Sequence, residues 1–189
     1  MSDYCKIIKT DIDIPTLVDK LDSLYPPSSY DSDSASVSDY ESFPLSPTYH
    51  KNVYDLPKDI KELFEKNVNC PFMDYFFLWD WRRATTILEP HVDPIKKQSF
   101  NNVVARISAF INLESTFNLN FHNKEGEIVE ELVYETGDIV VINNTQVAHS
   151  GKLLSKGNKR AIAGYPDIPQ NKIDGEEVPF ISIDELCKV

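Results

Sequence analysis

The sequence predicts an α+β fold in which two short helices precede a jelly-roll-like β-barrel. Apolar residues recur at helical spacing in two early segments. From Arg83 onward, short runs rich in Val, Ile, Thr and Phe alternate with turn residues, which is typical of a barrel or sandwich. Glycines separate several of these runs, at Gly126, Gly137 and Gly157. Helices that precede such strands are most simply packed on one face of the barrel.

The first helix is predicted from about Asp13 to Tyr25. Asp13 is placed to cap it, and Pro15 is tolerated in a first turn. Its apolar stripe consists of Ile14, Leu17, Val18, Leu21 and Leu24. The second helix is predicted from about Leu56 to Asn67, with a stripe formed by Ile60, Leu63 and Phe64. The aromatic stretch from Phe72 to Trp81 is most simply explained as core packing by large rings.

Seven strands are predicted after the helices. In chain order they are Thr85 to Glu89, Val103 to Leu113, Thr116 to Asn123, Ile128 to Glu135, Asp138 to Asn143, Val147 to Leu153 and Arg160 to Pro166. Within the third, polar Asn118, Asn120 and His122 alternate with apolar residues, which usually means solvent outside and core inside. A polar interior that contacts substrate is the alternative, with His122 near the site.

The 189 residues are a normal length for a single domain. We expect residues 1–83 to form a helical and loop-rich part, 84–167 the β core, and 168–189 a C-terminal extension. The stretch 26–50 is rich in Ser, Pro, Asp and Tyr and lacks periodicity. It is interpreted as a long or partly disordered loop, or as a loop that closes over an active site.

Charge and cysteine content limit the partners. A net charge of -11 argues against nucleic acid, which requires a basic face. Cys5, Cys70 and Cys187 are widely spaced, so neither a disulfide framework nor a thiolate zinc site is expected. The start contains no apolar segment for secretion, and no later run is long enough to span a bilayer. We therefore expect a cytoplasmic protein with a small-molecule or peptide substrate and no membrane contact.

Three residues have the types and spacing of a metal site. His91 and Asp93 are two apart, so in an extended segment both side chains point to one side. His149 stands at another predicted strand, from which it could return across a barrel. Two imidazoles and one carboxylate on one face of a metal leave the other positions open, as in non-haem Fe(II) oxygenases. Alone, the pair His91 and Asp93 is weak evidence, since such a pair can simply form a hydrogen-bonded turn.

A basic residue follows this set. Arg160 comes eleven residues after His149, and a hairpin would bring it back on the neighbouring strand. A dicarboxylate that chelates iron at one end needs a cationic partner at the other, and arginine offers a bidentate fork. A barrel-edge salt bridge is the alternative role for Arg160. Lys159 would take its place if the strand register were shifted by one residue, because such a shift reverses every side chain.

The order of His91, Asp93, a turn at Gly137, His149 and Arg160 resembles the double-stranded β-helix of the 2-oxoglutarate oxygenase superfamily, over roughly residues 84 to 167. The stretches RISAFINL, NNTQVAHSG and KRAIAGYPD are similar to the branch that hydroxylates aspartyl, asparaginyl and prolyl residues or free proline. The resemblance implies that His91, Asp93 and His149 bind Fe(II). It also implies that Arg160 pairs with the distal carboxylate of 2-oxoglutarate.

The implied activity is that of a dioxygenase that hydroxylates an amino acid, a peptide side chain or another small molecule. Dioxygen and 2-oxoglutarate are its co-substrates, and succinate and CO2 its products. Arg106 matches an arginine that often helps to bind co-substrate or substrate, and a structural ion pair is its alternative role. The sequence departs from the pattern at Ile162, where some relatives carry serine. The alternative from another class is a cupin-like metal-binding or structural jelly-roll protein without catalysis, which would not need Arg160.

Overall fold

A computed structural model of the chain describes residues 4–32, 48–81, 87–92, 106–143, 145–155, 158–172 and 182–186. The helices are α1 (Ile14–Leu24), α2 (Lys58–Val68) and α3 (Ile183–Leu186). The strands are β1 (Cys5–Ile8), β2 (Asp31–Ser32), β3 (Thr48–Val53), β4 (Phe72–Trp81), β5 (Ile87–His91), β6 (Ile107–Glu114), β7 (Phe117–His122), β8 (Ile128–Tyr134), β9 (Ile139–Asn143), β10 (Ala148–Leu153) and β11 (Lys159–Pro166). None of the described helices has the length and apolar character needed to cross a membrane.

The strands form two antiparallel sheets. The major sheet has seven strands in the order β1-β9-β6-β11-β4-β3-β2, and the minor sheet has four in the order β5-β10-β7-β8. Neighbours that are distant in sequence, such as β1 and β9 or β11 and β4, pair without parallel crossovers. This is the jelly-roll-like arrangement that the run of short strands predicts.

Two apolar cores lie on the two faces of the major sheet. The interior core lies between the sheets and consists of Cys5, Phe110, Phe117, Leu119, Phe121, Tyr134, Val140, Ile142, Ala161 and Ala163. The helix-side core lies between the major sheet and the helices, and includes Leu17, Leu21, Ile60, Phe64, Leu78, Ile111, Val141 and Ile162. The central strands of the major sheet are therefore buried on both faces. The helices pack on one face of the barrel, as predicted.

Both long helices begin and end close to their predicted boundaries. The carboxylate of Asp13 caps α1 by accepting hydrogen bonds from the backbone N–H of Thr16 at 3.3 Å and from its hydroxyl at 2.7 Å. Helix α2 ends where Asn69 adopts a left-handed conformation, with φ of 57°. Most of both apolar stripes, including Leu21 and Phe64, packs in the helix-side core, whereas Leu24 at the end of α1 is exposed.

The seven predicted strands correspond to β5 through β11. The structure adds four strands that the sequence did not predict, β1 to β4, all in the major sheet. The aromatic stretch from Phe72 to Trp81 forms β4, which pairs with β11. The rings of Phe72 and Phe76 pack in the helix-side core and those of Phe77 and Trp79 against the interior core, as expected. The segments 33–47 and 93–105 lie outside the described residues, and with them most of the stretch considered as a closing loop.

Candidate active site

Two histidines face each other across neighbouring strands of the minor sheet. His91 ends β5, and His149 lies directly opposite it on β10. Their ring centres are 4.5 Å apart. Two imidazoles bound side by side to one metal, with metal–nitrogen distances of about 2.1 Å and an angle of about 90°, place their ring centres roughly 4.5 Å apart. The pair therefore fits two adjacent ligands of one metal ion.

His149 points into the barrel. Strand β10 also pairs with β7, where the residue directly opposite His149 is Phe121. Directly opposed residues project from the same face of a sheet, and Phe121 belongs to the interior core. The residue is 7% exposed, and the Nδ1 of its ring lies 3.2 Å from the carbonyl oxygen of Val147. A carbonyl only accepts, so this contact keeps the proton on Nδ1 and the lone pair on Nε2. Metal-binding histidines are commonly oriented by such a contact.

The third expected ligand, Asp93, lies outside the described residues. Within the described part of the chain, no three side chains of His, Cys, Asp or Glu lie together as a metal site. Of the three expected ligands, the described residues include His91 and His149. Val92, which directly follows His91, is exposed, so the chain reaches the protein surface just after β5.

Lys159 is buried inside the barrel among aromatic rings. The residue is 4% exposed, and its ammonium lies 3.7 Å from the ring centre of Phe117 and 5.0 Å from that of Trp79. Tyr134 and Phe110 follow at 5.6 and 5.9 Å. These distances are in the range of cation–π contacts. The side chain thus places a positive charge in the interior core, where an acidic ligand would interact with it strongly.

Arg160 projects from the opposite face of β11, towards the helices. Its guanidinium donates to both carboxylate oxygens of Asp22 on α1, at 2.6 and 3.4 Å. Burial lowers the pKa of Arg160, but the hydrogen bond and charge of Asp22 outweigh this, and the net pKa is raised. Ile162, two residues further on, faces the same way into the helix-side core. The structure therefore does not bring Arg160 together with the histidines, and the residue of this pair that faces the interior core is Lys159.

Arg106 lies just before β6 and is 1% exposed. Its backbone N–H donates to the side-chain oxygen of Asn171 at 3.2 Å. The start of β6 pairs with the end of β9, which in turn pairs with β1 at Cys5. The neighbouring ring of Tyr4 contacts Phe121, and Phe121 lies opposite His149. Arg106 is therefore at the same end of the barrel as the histidine pair. Such a position suits a role in ligand binding as well as a structural one.

The histidine pair and the ammonium of Lys159 lie near the two ends of β7. On β7, Phe121 is opposite His149, and Phe117 contacts the ammonium of Lys159. Phe117 and Phe121 are four positions apart, which corresponds to about 13 Å of strand, and both side chains point into the interior core. An elongated ligand could bind a metal at the histidines with one end and the ammonium with the other.

His122 projects from the outer face of the minor sheet, away from the interior core. Its Nε2 accepts a hydrogen bond from the hydroxyl of Ser150 at 2.7 Å, and its Nδ1 donates to the carbonyl oxygen of Gly126 at 3.1 Å. Phe117, Leu119 and Phe121 occupy the interior face of the same strand. The polar face of β7 therefore points away from the interior core, as the usual interpretation of its alternation predicts. His122 does not lie beside the histidine pair.

No protein-family model and no curated protein sequence matches this chain. Solved structures do. A prolyl-4-hydroxylase from Pseudomonas putida aligns with a TM-score of 0.55 and 11% identity, over 87% of this chain and 92% of that one. The chain adopts the double-stranded β-helix fold. OsALKBH1 aligns at TM-score 0.59 and 10% identity, over 87% and 99%. The non-haem α-ketoglutarate-dependent epimerase SnoN from nogalamycin biosynthesis aligns at 0.55 and 12%, over 86% and 77%.

At these identities the likeness establishes the β-helix fold and leaves the activity to the site itself. In this β-helix, the histidine pair lies on the minor sheet and Lys159 on the major sheet, with the interior core between them. The sequence placed His149 on a predicted strand and His91 just after one, and it left an inward position of Lys159 only as the alternative to Arg160. The signal for it was weak, because β11 has buried residues on both faces.

Proposed function

We propose that this protein is an Fe(II)- and 2-oxoglutarate-dependent dioxygenase that hydroxylates an amino acid, a peptide side chain or another small molecule. One observation carries the proposal. A close histidine pair and a buried lysine face the same β-helix interior from its two ends. A plain metal-binding barrel has no use for a buried ammonium, whereas a dicarboxylate co-substrate requires a cation at its distal end.

His91 and His149 would hold the metal, and Asp93 is the proposed third ligand. The donor set suits Fe(II), because imidazole and carboxylate ligands on one face leave positions open for co-substrate and dioxygen. When bound, the iron supplies the coupling of 2-oxoglutarate decarboxylation to oxidation of a C–H bond. His149 is prepared for this task by the contact of its Nδ1 with Val147, which fixes the orientation of the ring.

Lys159 takes the role that the sequence resemblance assigned to Arg160. Its ammonium is inside the barrel, whereas the guanidinium of Arg160 is engaged by Asp22 on the helix side. Charge-assisted hydrogen bonds from an ammonium to a carboxylate gain strength where water is excluded. The rings of Trp79, Phe117 and Tyr134 around Lys159 provide that exclusion. Arg106, buried at the histidine end, is the proposed second contact for co-substrate or substrate.

The fold and the net charge support the hydroxylation of a small or peptide substrate. One protein with the same fold is named as a prolyl-4-hydroxylase, and another is an α-ketoglutarate-dependent epimerase, so the β-helix accommodates more than one outcome. The net charge of -11 favours substrates other than nucleic acid. Hydroxylation is the simplest outcome of the proposed chemistry and is the one that we infer.

Turnover of the co-substrate tests the proposal without knowledge of the substrate. Wild-type protein incubated with Fe(II), dioxygen and 2-oxoglutarate is expected to form succinate slowly, and His149→Ala to form none above background. His122→Ala is the matched control, because His122 lies on the outer face of the β-helix. A folded wild-type protein that binds iron but forms no succinate would instead support the non-catalytic, cupin-like alternative.

A further inference from the structure

The ring of Phe117 fills the space between the strand that carries His149 and the ammonium of Lys159. On one side, the ring centre is 3.7 Å from the Lys159 nitrogen. On the other, the ring rests directly on the backbone of Gly151, two residues after His149. A Cβ atom at Gly151 would lie 2.2 Å from Cε1 and 2.5 Å from Cζ of Phe117. The absence of a side chain at Gly151 therefore allows the ring to occupy this position.

Other rings hold Phe117 from behind. Its centre is 5.4 Å from that of Tyr134, its cross-strand partner on β8. Tyr134 in turn contacts Phe110 at 5.4 Å, and Phe110 contacts Trp79 at 5.3 Å. Phe117 and Tyr134 are almost completely buried. Because protein interiors are packed at the density of organic crystals, the ring cannot move aside without displacing this whole series.

We propose that Phe117 sets the length of the dicarboxylate that the site accepts, so that five-carbon 2-oxoglutarate is selected over six-carbon 2-oxoadipate. This inference rests on the proposed function. An acid bound to metal at the histidines must reach Lys159 past the Phe117 ring, and the ring fixes how much chain fits in that interval. An additional methylene group has to displace the ring, and insertion of methylenes into a well-packed core is unfavourable.

Gly151 is the positioning residue in this arrangement. A methyl group there meets the edge of the Phe117 ring and pushes it towards Lys159, into the space that the carboxylate needs. The same added Cβ atom would lie 2.9 Å from the carbonyl oxygen of Asn118. The backbone of β7 therefore limits how far the methyl group can shift away from the Phe117 ring. Gly151 therefore affects co-substrate binding through the position of the Phe117 ring and not through direct contact with the co-substrate.

Direct binding measurements test the inference without turnover. Protein loaded with Ni²⁺, which nitrogen and oxygen sites bind more tightly than Fe²⁺, is titrated by calorimetry with 2-oxoglutarate and with 2-oxoadipate. The wild type is expected to prefer 2-oxoglutarate by about 10- to 200-fold, the usual discrimination for one methylene group. Phe117→Leu is expected to reduce this ratio by at least about tenfold. Phe64→Leu, an equally buried substitution in the helix-side core, should keep the wild-type ratio.

A second pair of variants tests the role of Gly151. Gly151→Ala is expected to weaken 2-oxoglutarate binding while Ni²⁺ stoichiometry stays at one, and the double variant with Phe117→Leu is expected to recover part of the loss. A wild type that binds neither acid contradicts the proposed function. If the wild type discriminates but Phe117→Leu keeps the same ratio, the proposed function stands and the role of Phe117 is wrong. Equal loss of both acids in Phe117→Leu also contradicts length selection.

Discussion

Lys159 and Arg160 are adjacent in the chain, yet their side chains lie in different cores, on opposite faces of the major sheet. The ammonium of Lys159 contacts the ring of Phe117 inside the β-helix, whereas the guanidinium of Arg160 binds Asp22 on α1. The alternation of side chains along β11 causes this separation. It gives the two cations different surroundings: the ammonium of Lys159 lies among the rings of the interior core, and Arg160 connects the sheet to a helix.

Arg160 is therefore expected to contribute to stability. Its side chain is 13% exposed and that of Asp22 is 33% exposed, so the pair is only partly screened by water. Arg160→Met should lower the free energy of unfolding by about 1.5–3 kcal/mol, the range for hydrogen bonds to charged groups. Urea unfolding of Arg160→Met, Asp22→Asn and the double variant measures this. Strictly additive losses in the three variants would show that the two side chains do not interact.

Metal binding is expected to depend on the histidine pair. His91→Ala and His149→Ala each remove one of two imidazoles whose centres are 4.5 Å apart, and the affinity for Fe(II) or Ni²⁺ should fall by more than about 100-fold. His122→Ala should bind metal like the wild type, because His122 is bonded to Ser150 and Gly126 on the outer face. Calorimetric titration with Ni²⁺ distinguishes the three variants. Undiminished binding in His149→Ala would place the metal elsewhere.

Alkaline pH is expected to destabilise the fold through Tyr75. Burial, with a smaller effect of Tyr54, raises the pKa of Tyr75 to about 12, and its hydroxyl donates to Asn52 at 3.1 Å. A raised pKa in the folded state means that the contribution to stability is complete below the unfolded value of about 10 and is lost as the pH rises through about 12. The stability difference between wild type and Tyr75→Phe should therefore shrink from pH 9 to pH 11. A constant difference in urea unfolding would contradict the assignment.

The strands of the second half could be predicted because they have clear boundaries. Gly126 and Gly137 adopt positive φ of 84° and 93° in the turns, and β7 alternates apolar and polar residues. The N-terminal strands lack such signals. β1 has only four residues, and β4 is almost continuously apolar and aromatic, so neither shows a sustained alternation. Their pairing with β9 and β11 is a long-range property that local sequence does not encode.

Part of the site could also be predicted from clear strand boundaries. His91 and His149 occur at recognisable strand ends, and the structure places them opposite each other. The choice between Lys159 and Arg160 required knowledge of which face of β11 is inside. Ala161 and Ile162 are both fully buried, one in each core, so the apolar pattern is the same on both faces. The bidentate fork of arginine and the family resemblance both favoured Arg160, and its observed partner, Asp22, is 138 residues away in the chain.

The most direct test of the account is anaerobic titration of Fe(II)-loaded protein with 2-oxoglutarate, monitored by the visible charge-transfer band of the chelated complex. Wild type and Arg160→Met are expected to show the band at the same 2-oxoglutarate concentration. Lys159→Met should need an about 10- to 150-fold higher 2-oxoglutarate concentration, which corresponds to the loss of one charge-assisted hydrogen bond. A band that weakens in Arg160→Met but not in Lys159→Met would contradict the assignment of Lys159, and its absence from folded, iron-loaded wild type would contradict the oxygenase itself.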